Sequence, residues 1–128
     1  MNEHGFVKSI HNKLSSEVHK WKIHDTYAGG VPDAFYSGPL GVLFIEYKYI
    51  KALPKRDNTI LRHTLSKLQI EWLNKVKQGA KVAVVIGVED TAMIITDDFD
   101  ASVTRQQYLE NCVARHDVSQ WIYEQTYG

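Results

Sequence analysis

Cysteine occurs once, at Cys112. A lone cysteine excludes an internal disulfide and suits a reducing compartment, so a cytoplasmic setting is expected. On a helix face it reads as a packing group rather than a nucleophile. The start is polar and no apolar run reaches membrane-spanning length, which argues against a signal peptide, a transmembrane helix or a membrane partner. The sequence holds no GxxxxGK[ST] loop, no dinucleotide fingerprint and no nucleophile–histidine arrangement, so a nucleotide cofactor is not expected. Its six histidines show no zinc spacing with Cys112. Asp97, Asp98 and Asp100 lack the glycine and terminal glutamate of a calcium-binding hand and read as a solvated turn. Internal repeats and low-complexity linkers are absent as well.

Net charge is missing too, with 15 basic and 15 acidic residues, but it is unevenly spread. Residues 1–81 carry 13 basic and 7 acidic side chains, a balance of +6, and residues 82–128 carry 2 and 8, a balance of −6. Screening confines fields to about one Debye length, roughly 8–10 Å, so a local basic surface can attract a polyanion on a neutral chain. The acidic tail argues against a non-specific nucleic-acid coat. At 128 residues with 44% hydrophobic content, the chain is long enough for one core and too short for two. A single domain, 1–128, is expected.

The most informative stretch is GGVPDAFYSGPLGVLFIEYKY, Gly29 to Tyr49. Gly38, Pro39 and Gly41 punctuate it, and Leu43, Phe44, Ile45 and Tyr47 give the second half a β-favouring apolar run. With Pro39 and Leu40 in the middle of the turn, two antiparallel strands result in which facing residues have numbers summing to 79. Asp33 then faces Glu46, and Lys48 shares the face of Glu46 because side chains alternate. Two carboxylates and an ammonium converge on one patch. Strand interiors disfavour Asp, and paired buried carboxylates repel unless a cation lies between them. A hard divalent ion resolves this, since one or two carboxylates suit Mg²⁺ and leave positions open for water and phosphate.

Pro32-Asp33 followed by Glu46-Tyr47-Lys48 resembles the PD-(D/E)xK signature of metal-dependent nucleases. The surroundings are most similar to its virus-type replication–repair (VRR-NUC) branch: Glu3 in the first helix, GGVPD at Gly29–Asp33, FIEYK at Phe44–Lys48, LSKLQIEWL at Leu65–Leu73 and QGAKVAVVIG at Gln78–Gly87. The resemblance covers about two-thirds of the chain and leaves the tail unmatched. It implies a restriction-endonuclease-like α/β fold with an αβββαβ core over 1–97, a mixed central sheet flanked by helices, and a helical extension over 98–128. It also implies that Asp33, Glu46 and the main-chain carbonyl of Tyr47 bind Mg²⁺, with Mn²⁺ as substitute. Lys48 would be catalytic, with Glu3 and Gln69 as secondary helpers. DNA would be the partner, cut to leave 5′-phosphate and 3′-hydroxyl ends. Small freestanding, phage-type members act on branched junctions as symmetric dimers.

Taken in order, residues 3–16 read as an amphipathic helix with Phe6, Val7, Ile10 and Leu14 on one stripe and Asn2 as cap. Glu3 in its first turn complements the helix dipole or assists a metal, and Glu17 is its rival for the second role. His19–Tyr27 alternates as a half-buried strand, Trp21 and Ile23 inward, with Lys20, Lys22 and His24 outward and available to phosphates. The long segment after Lys48 carries Lys51, Lys55, Arg56, Arg62 and His63, candidates for backbone-phosphate contacts. Ser66 and Gln69 form a capping box, so Gln69 has a structural reading beside its implied place near the site. Gly79 ends that helix, whose buried stripe is expected to be Leu65, Leu68, Trp72, Leu73 and Val76. Lys67, Lys75 and Lys77 lie on its other faces, where they could flank nucleic acid. Val82–Val88 reads as a strand buried on both faces, with Ala92–Thr96 as its antiparallel neighbour. Ser102–Ala114 and Val118–Tyr127 read as two short helices.

The functional expectation is a Mg²⁺-dependent DNA endonuclease, structure-selective on branched DNA and acting as a homodimer. The alternatives are a catalytically silent nucleic-acid-binding module and a flap, nicking or restriction-type nuclease.

Overall fold

The structure, a computed structural model, describes residues 1–23, 30–62 and 65–128. The elements run α1 (Glu3–Lys13), β1 (His19–Lys22), β2 (Ala34–Gly38), β3 (Gly41–Tyr49), α2 (Lys67–Val76), β4 (Lys81–Val88), β5 (Thr91–Ile95), α3 (Arg105–Asn111), β6 (Val113–Ala114) and α4 (Arg115–Thr126). The six strands form one sheet in chain order. Among the described strands only β3 and β4 are parallel, joined through α2; the other pairs are antiparallel. The expected mixed α/β sheet with an αβββαβ core is present.

Two apolar cores lie on opposite faces of the sheet. On one, Phe6, Val7 and Ile10 of α1 and Val118 and Ile122 of α4 pack against Leu43, Ile45, Tyr47, Ala83 and Val85. On the other, Leu73 of α2, Leu61, Phe99, Val103 and Tyr108 pack against Val82, Val84, Ile86 and Val88. Thus β4, between the two, is buried at every position from Val82 to Val88. Side chains of β3 alternate accordingly: odd residues enter the first core, and Phe44 turns to the second.

The hairpin has the expected register, from Ala34↔Ile45 to Gly38↔Gly41, every pair summing to 79. Its turn is pinned from outside. The Leu40 N–H donates to the carbonyl of Thr126 at 2.9 Å, and a Cβ on Gly38 would lie 2.5 Å from that same oxygen. Asn2 caps α1 by accepting from Gly5 N–H at 2.8 Å. That helix stops at Lys13, short of the expected residue 16, because Leu14 turns to extended backbone.

Three further expectations need correction. Strand β1 ends at Lys22, and Trp21 is not half-buried but 57% exposed, because β1 is the edge strand of the sheet and all four of its residues are exposed. His24 and Gly29 lie outside the described residues, as does His63. In α2, Leu68 is 56% exposed. It sits about 140° around the helix from buried Leu73, at roughly 100° per residue, and Ile70 takes its place against the core. The tail adds not two helices alone but also the short strand β6, paired with β5 through Thr91↔Ala114 and Ala92↔Val113. No helix among the described residues is long and apolar enough to cross a membrane.

Candidate active site

Asp33 sits one residue before β2 and is fixed twice. Its carbonyl accepts the Ile23 N–H at 2.8 Å, and its Oδ2 accepts the Tyr47 N–H at 2.9 Å. The carboxylate is thereby tied to the strand that carries Glu46 and Lys48. Glu46 is 4% exposed. Its Oε2 accepts from Gln69 Nε2 at 3.1 Å and lies 3.7 Å from Lys48 Nζ, but Oε1 is buried and has no hydrogen-bond partner among the described residues.

Burial, then the charge of Asp33, pushes the Glu46 carboxyl up to about 8, against an opposing pull from Lys48. Glu3 belongs to the same electrostatic group: burial and Asp33 raise its carboxyl, while Lys48 and the Tyr49 backbone oppose the rise. Glu3, His4, Lys22 and Asp33 line a cavity of about 190 Å³ beside the site. Asp33 therefore raises the proton affinity of both Glu46 and Glu3 beside the Lys48 ammonium, and one Glu46 oxygen is left buried without a donor among the described residues.

That donor set suits a divalent cation. Among the described residues no group of three or more His, Cys, Asp or Glu side chains is arranged to hold a metal ion. Mg²⁺, however, accepts one or two protein carboxylates and completes its shell with carbonyl oxygen, water and phosphate. A buried acceptor lacking a partner, Glu46 Oε1, is what a cation or a proton would satisfy.

The local fold explains the convergence. Gly30 adopts φ +88°, and a Cβ there would sit 2.3 Å from the Leu68 carbonyl oxygen, so glycine lets the chain before Asp33 lie against the start of α2. Gln69 serves both readings of it. Its Oε1 accepts the Ser66 N–H at 2.8 Å to close the capping box, which leaves Nε2 for Glu46.

The other candidates divide. Lys22 reaches the site cavity, its Nζ 3.4 Å from His4 Nδ1. Lys20 is exposed on the same strand, and Lys67 is exposed in the first turn of α2. Lys51, Lys55, Arg56 and Arg62 are exposed along the segment after β3. That segment is anchored rather than loose: Leu61 is buried, its N–H donates to Val103, Arg105 and Gln106 N–H groups donate to Thr59 and Asp57, and Arg105 pairs with Asp57. Glu17 is turned elsewhere, its carbonyl accepting from Tyr127 Oη at 2.7 Å against α4.

Sequence reasoning missed two features. On the α1 side of the sheet, His11 Nε2, Tyr36 Oη and Tyr47 Oη form a hydrogen-bonded chain with steps of 2.7 and 2.6 Å, directly behind the backbone that holds Asp33. On the α2 side, Trp21, Phe35 and Phe44 stand in cross-strand register beside the site. Extending the register argument from the hairpin to β1, where facing numbers sum to 56, would have revealed that row.

No protein-family model matches the chain, and no curated protein does. Among solved structures, it is similar to Hjc of Archaeoglobus fulgidus, a Holliday junction resolvase from an archaeal hyperthermophile. The two chains are 14% identical with a TM-score of 0.59, over 94% of this chain and 97% of the other. They share a fold. The restriction-endonuclease-like architecture expected from the motifs is thus met across nearly the whole chain.

Proposed function

We propose that this protein is a divalent-metal-dependent DNA endonuclease of the PD-(D/E)xK type, selective for branched DNA. The observation that carries the reading is the placement of Asp33, just before β2, beside Glu46 and Lys48 of the adjoining β3, with one buried Glu46 oxygen lacking a donor among the described residues. The fold shared with a resolvase supports the choice of substrate class.

Asp33, Glu46 and the Tyr47 carbonyl would hold the cation, and Glu3 would modulate its charge. When bound, the cation supplies Lewis-acid polarisation of the phosphodiester and acidifies water. Lys48 orients the attacking water and offsets charge that develops on phosphorus oxygens in the transition state. Gln69 holds Glu46 in position from α2. Two copies related by a twofold axis would make two symmetric cuts across a four-way junction.

The test is cleavage of duplex, flapped and four-way DNA with Mg²⁺ or Mn²⁺, comparing the wild type with an Asp33→Ala, Lys48→Ala double variant. Loss of cleavage by at least about 100-fold in a folded variant is expected. Undiminished cleavage ends the assignment. DNA binding indifferent to metal, with no cleavage of any substrate by the wild type, would instead identify a binding module.

A further inference from the structure

Trp21 is exposed on an edge strand, where a large aromatic ring is costly to leave in water without a purpose. It is not isolated. Trp21, Phe35 and Phe44 are cross-strand partners on β1, β2 and β3. The Trp21 and Phe35 rings are stacked, 12° from parallel with centroids 6.3 Å apart. Phe35 meets Phe44 at 5.9 Å, and Phe44 is braced edge-on by Trp72 of α2 at 5.1 Å. The row is therefore anchored in the core at one end and open at the other.

Its position relative to the carboxylates is set by the strand repeat. Phe44 and Glu46 are two residues apart on β3 and so share a face, separated along the strand by about 7 Å. A strand of nucleic acid with a phosphate at Glu46 has its neighbouring nucleotides at the aromatic row.

The charge around Trp21 selects among occupants. Strand β1 is His19-Lys20-Trp21-Lys22, exposed throughout and without an acid. Lys20 and Lys22 alternate to the α1 face, yet both sit on the same edge strand within a Debye length of the ring, roughly 8–10 Å, and keep this edge positive, which suits a polyanion. They disfavour a second copy of this chain added edge to edge at β1, because a twofold contact along this strand would set Lys20 and Lys22 of one protomer against the same residues of its partner.

We propose that Trp21, backed by Phe35, is the seat on which an unpaired base of the substrate stacks when its backbone lies at the carboxylates. The seat rests on the nuclease reading and deepens it. Stacking on an aromatic ring accepts any base, since every base has a π-face, and so does not read sequence. It does read pairing. A continuous duplex keeps its bases stacked on one another, whereas a branch point or flap offers a base that can leave the stack. Trp21 would thus contribute to the preference for branched over unbroken DNA.

The experiment separates binding from cutting. Lys48→Ala protein is titrated, without divalent metal, into a four-way junction carrying 2-aminopurine beside the branch and into a fully paired duplex of equal length. Quenching of 2-aminopurine on the junction is expected. Adding Trp21→Ala removes the quench and weakens junction binding about tenfold, with duplex affinity unchanged, while Trp21→Phe restores most of both. Quenching that survives Trp21→Ala overturns the seat, as does an equal loss on junction and duplex. A change of sedimentation coefficient of the free protein on Trp21→Ala would also overturn it, because the ring would then be a contact between copies. Cleavage by the wild type is measured in parallel. Cleavage without quenching rejects the seat alone, and quenching without cleavage rejects the nuclease reading alone.

Discussion

Gln69 donates from Nε2 to Glu46 Oε2 at 3.1 Å while its Oε1 closes the capping box with Ser66. One side chain thus starts a helix and orients a buried carboxylate. Gln69→Ala removes both functions, and Gln69→Glu keeps a capping acceptor but sets a second carboxylate against Glu46. Gln69→Ala leaves Ser66 as N-cap but loses the reciprocal bond from the Ser66 N–H, which costs about 0.5–1.5 kcal/mol, read by denaturant unfolding. Gln69→Glu retains more of that stability at pH 6 than at pH 9. Both variants bind Mg²⁺ more weakly than the wild type by calorimetry.

Glu46 carries a pH signature. Its carboxyl rises from the ordinary 4.5 to about 8 in the folded, metal-free protein, through burial and then Asp33. Between those values the folded state holds a proton that the unfolded state has released, so stability falls as pH rises. A cation in place of that proton reverses the trend. Thermal melts from pH 5 to pH 9 should show metal-free protein losing stability across this window and Mg²⁺ raising Tm more at pH 8 than at pH 6. Glu46→Gln abolishes the Mg²⁺ effect and flattens the metal-free decline.

The chain His11–Tyr36–Tyr47 predicts strong coupling between two hydroxyls. Tyr36→Phe leaves Tyr47 Oη without its 2.6 Å partner in a fully buried place. That costs about 1–3 kcal/mol, and the double variant with Tyr47→Phe costs less than the sum of the singles. A double-mutant cycle by urea unfolding reads this. His11 itself is held down to about 4 by burial, Lys20 and Lys22, from an ordinary 6.5. Here the unfolded state binds the extra proton, so stability is lost as pH falls from 6.5 towards 4, and His11→Phe removes that dependence.

Gly30→Ala tests the approach of the chain to α2. The new methyl meets the Leu68 carbonyl at 2.3 Å in a backbone with φ +88°. A loss of at least about 1–3 kcal/mol is expected, together with weaker Mg²⁺ binding as Asp33 shifts. Gly79→Ala, where nothing lies within 4 Å of the added carbon, is the control and changes neither.

Where chemistry is local, the sequence was readable. The Gly38–Gly41 turn set the register that brings Asp33 opposite Glu46, and Ser66 with Gln69 announced the start of α2. The unbroken apolar run of β4 declared burial on both faces. What stayed hidden depends on distant partners. Alternation in HKWK is the same in an edge strand and an interior one, and so does not reveal that Trp21 faces solvent. Leu68 fitted a helical period whose buried direction only the sheet could choose. The polar segment around Asp57 gave no sign that Thr59 and Leu61 would be fastened by backbone bonds to residues 103–105. The buried tyrosine chain is likewise invisible until α1 is laid across β2 and β3.

The hydrogen bond from Leu40 to Thr126, with Gly38 pressed against the same carbonyl, carries a constraint on inheritance. The bend between the two strands and the final turn of α4 form one mechanical joint although almost ninety positions separate them in the chain. Lengthening either by a residue displaces the other, so homologues should alter both segments together. Chimaeras that exchange one segment without the other should misalign the hairpin on which both carboxylates depend.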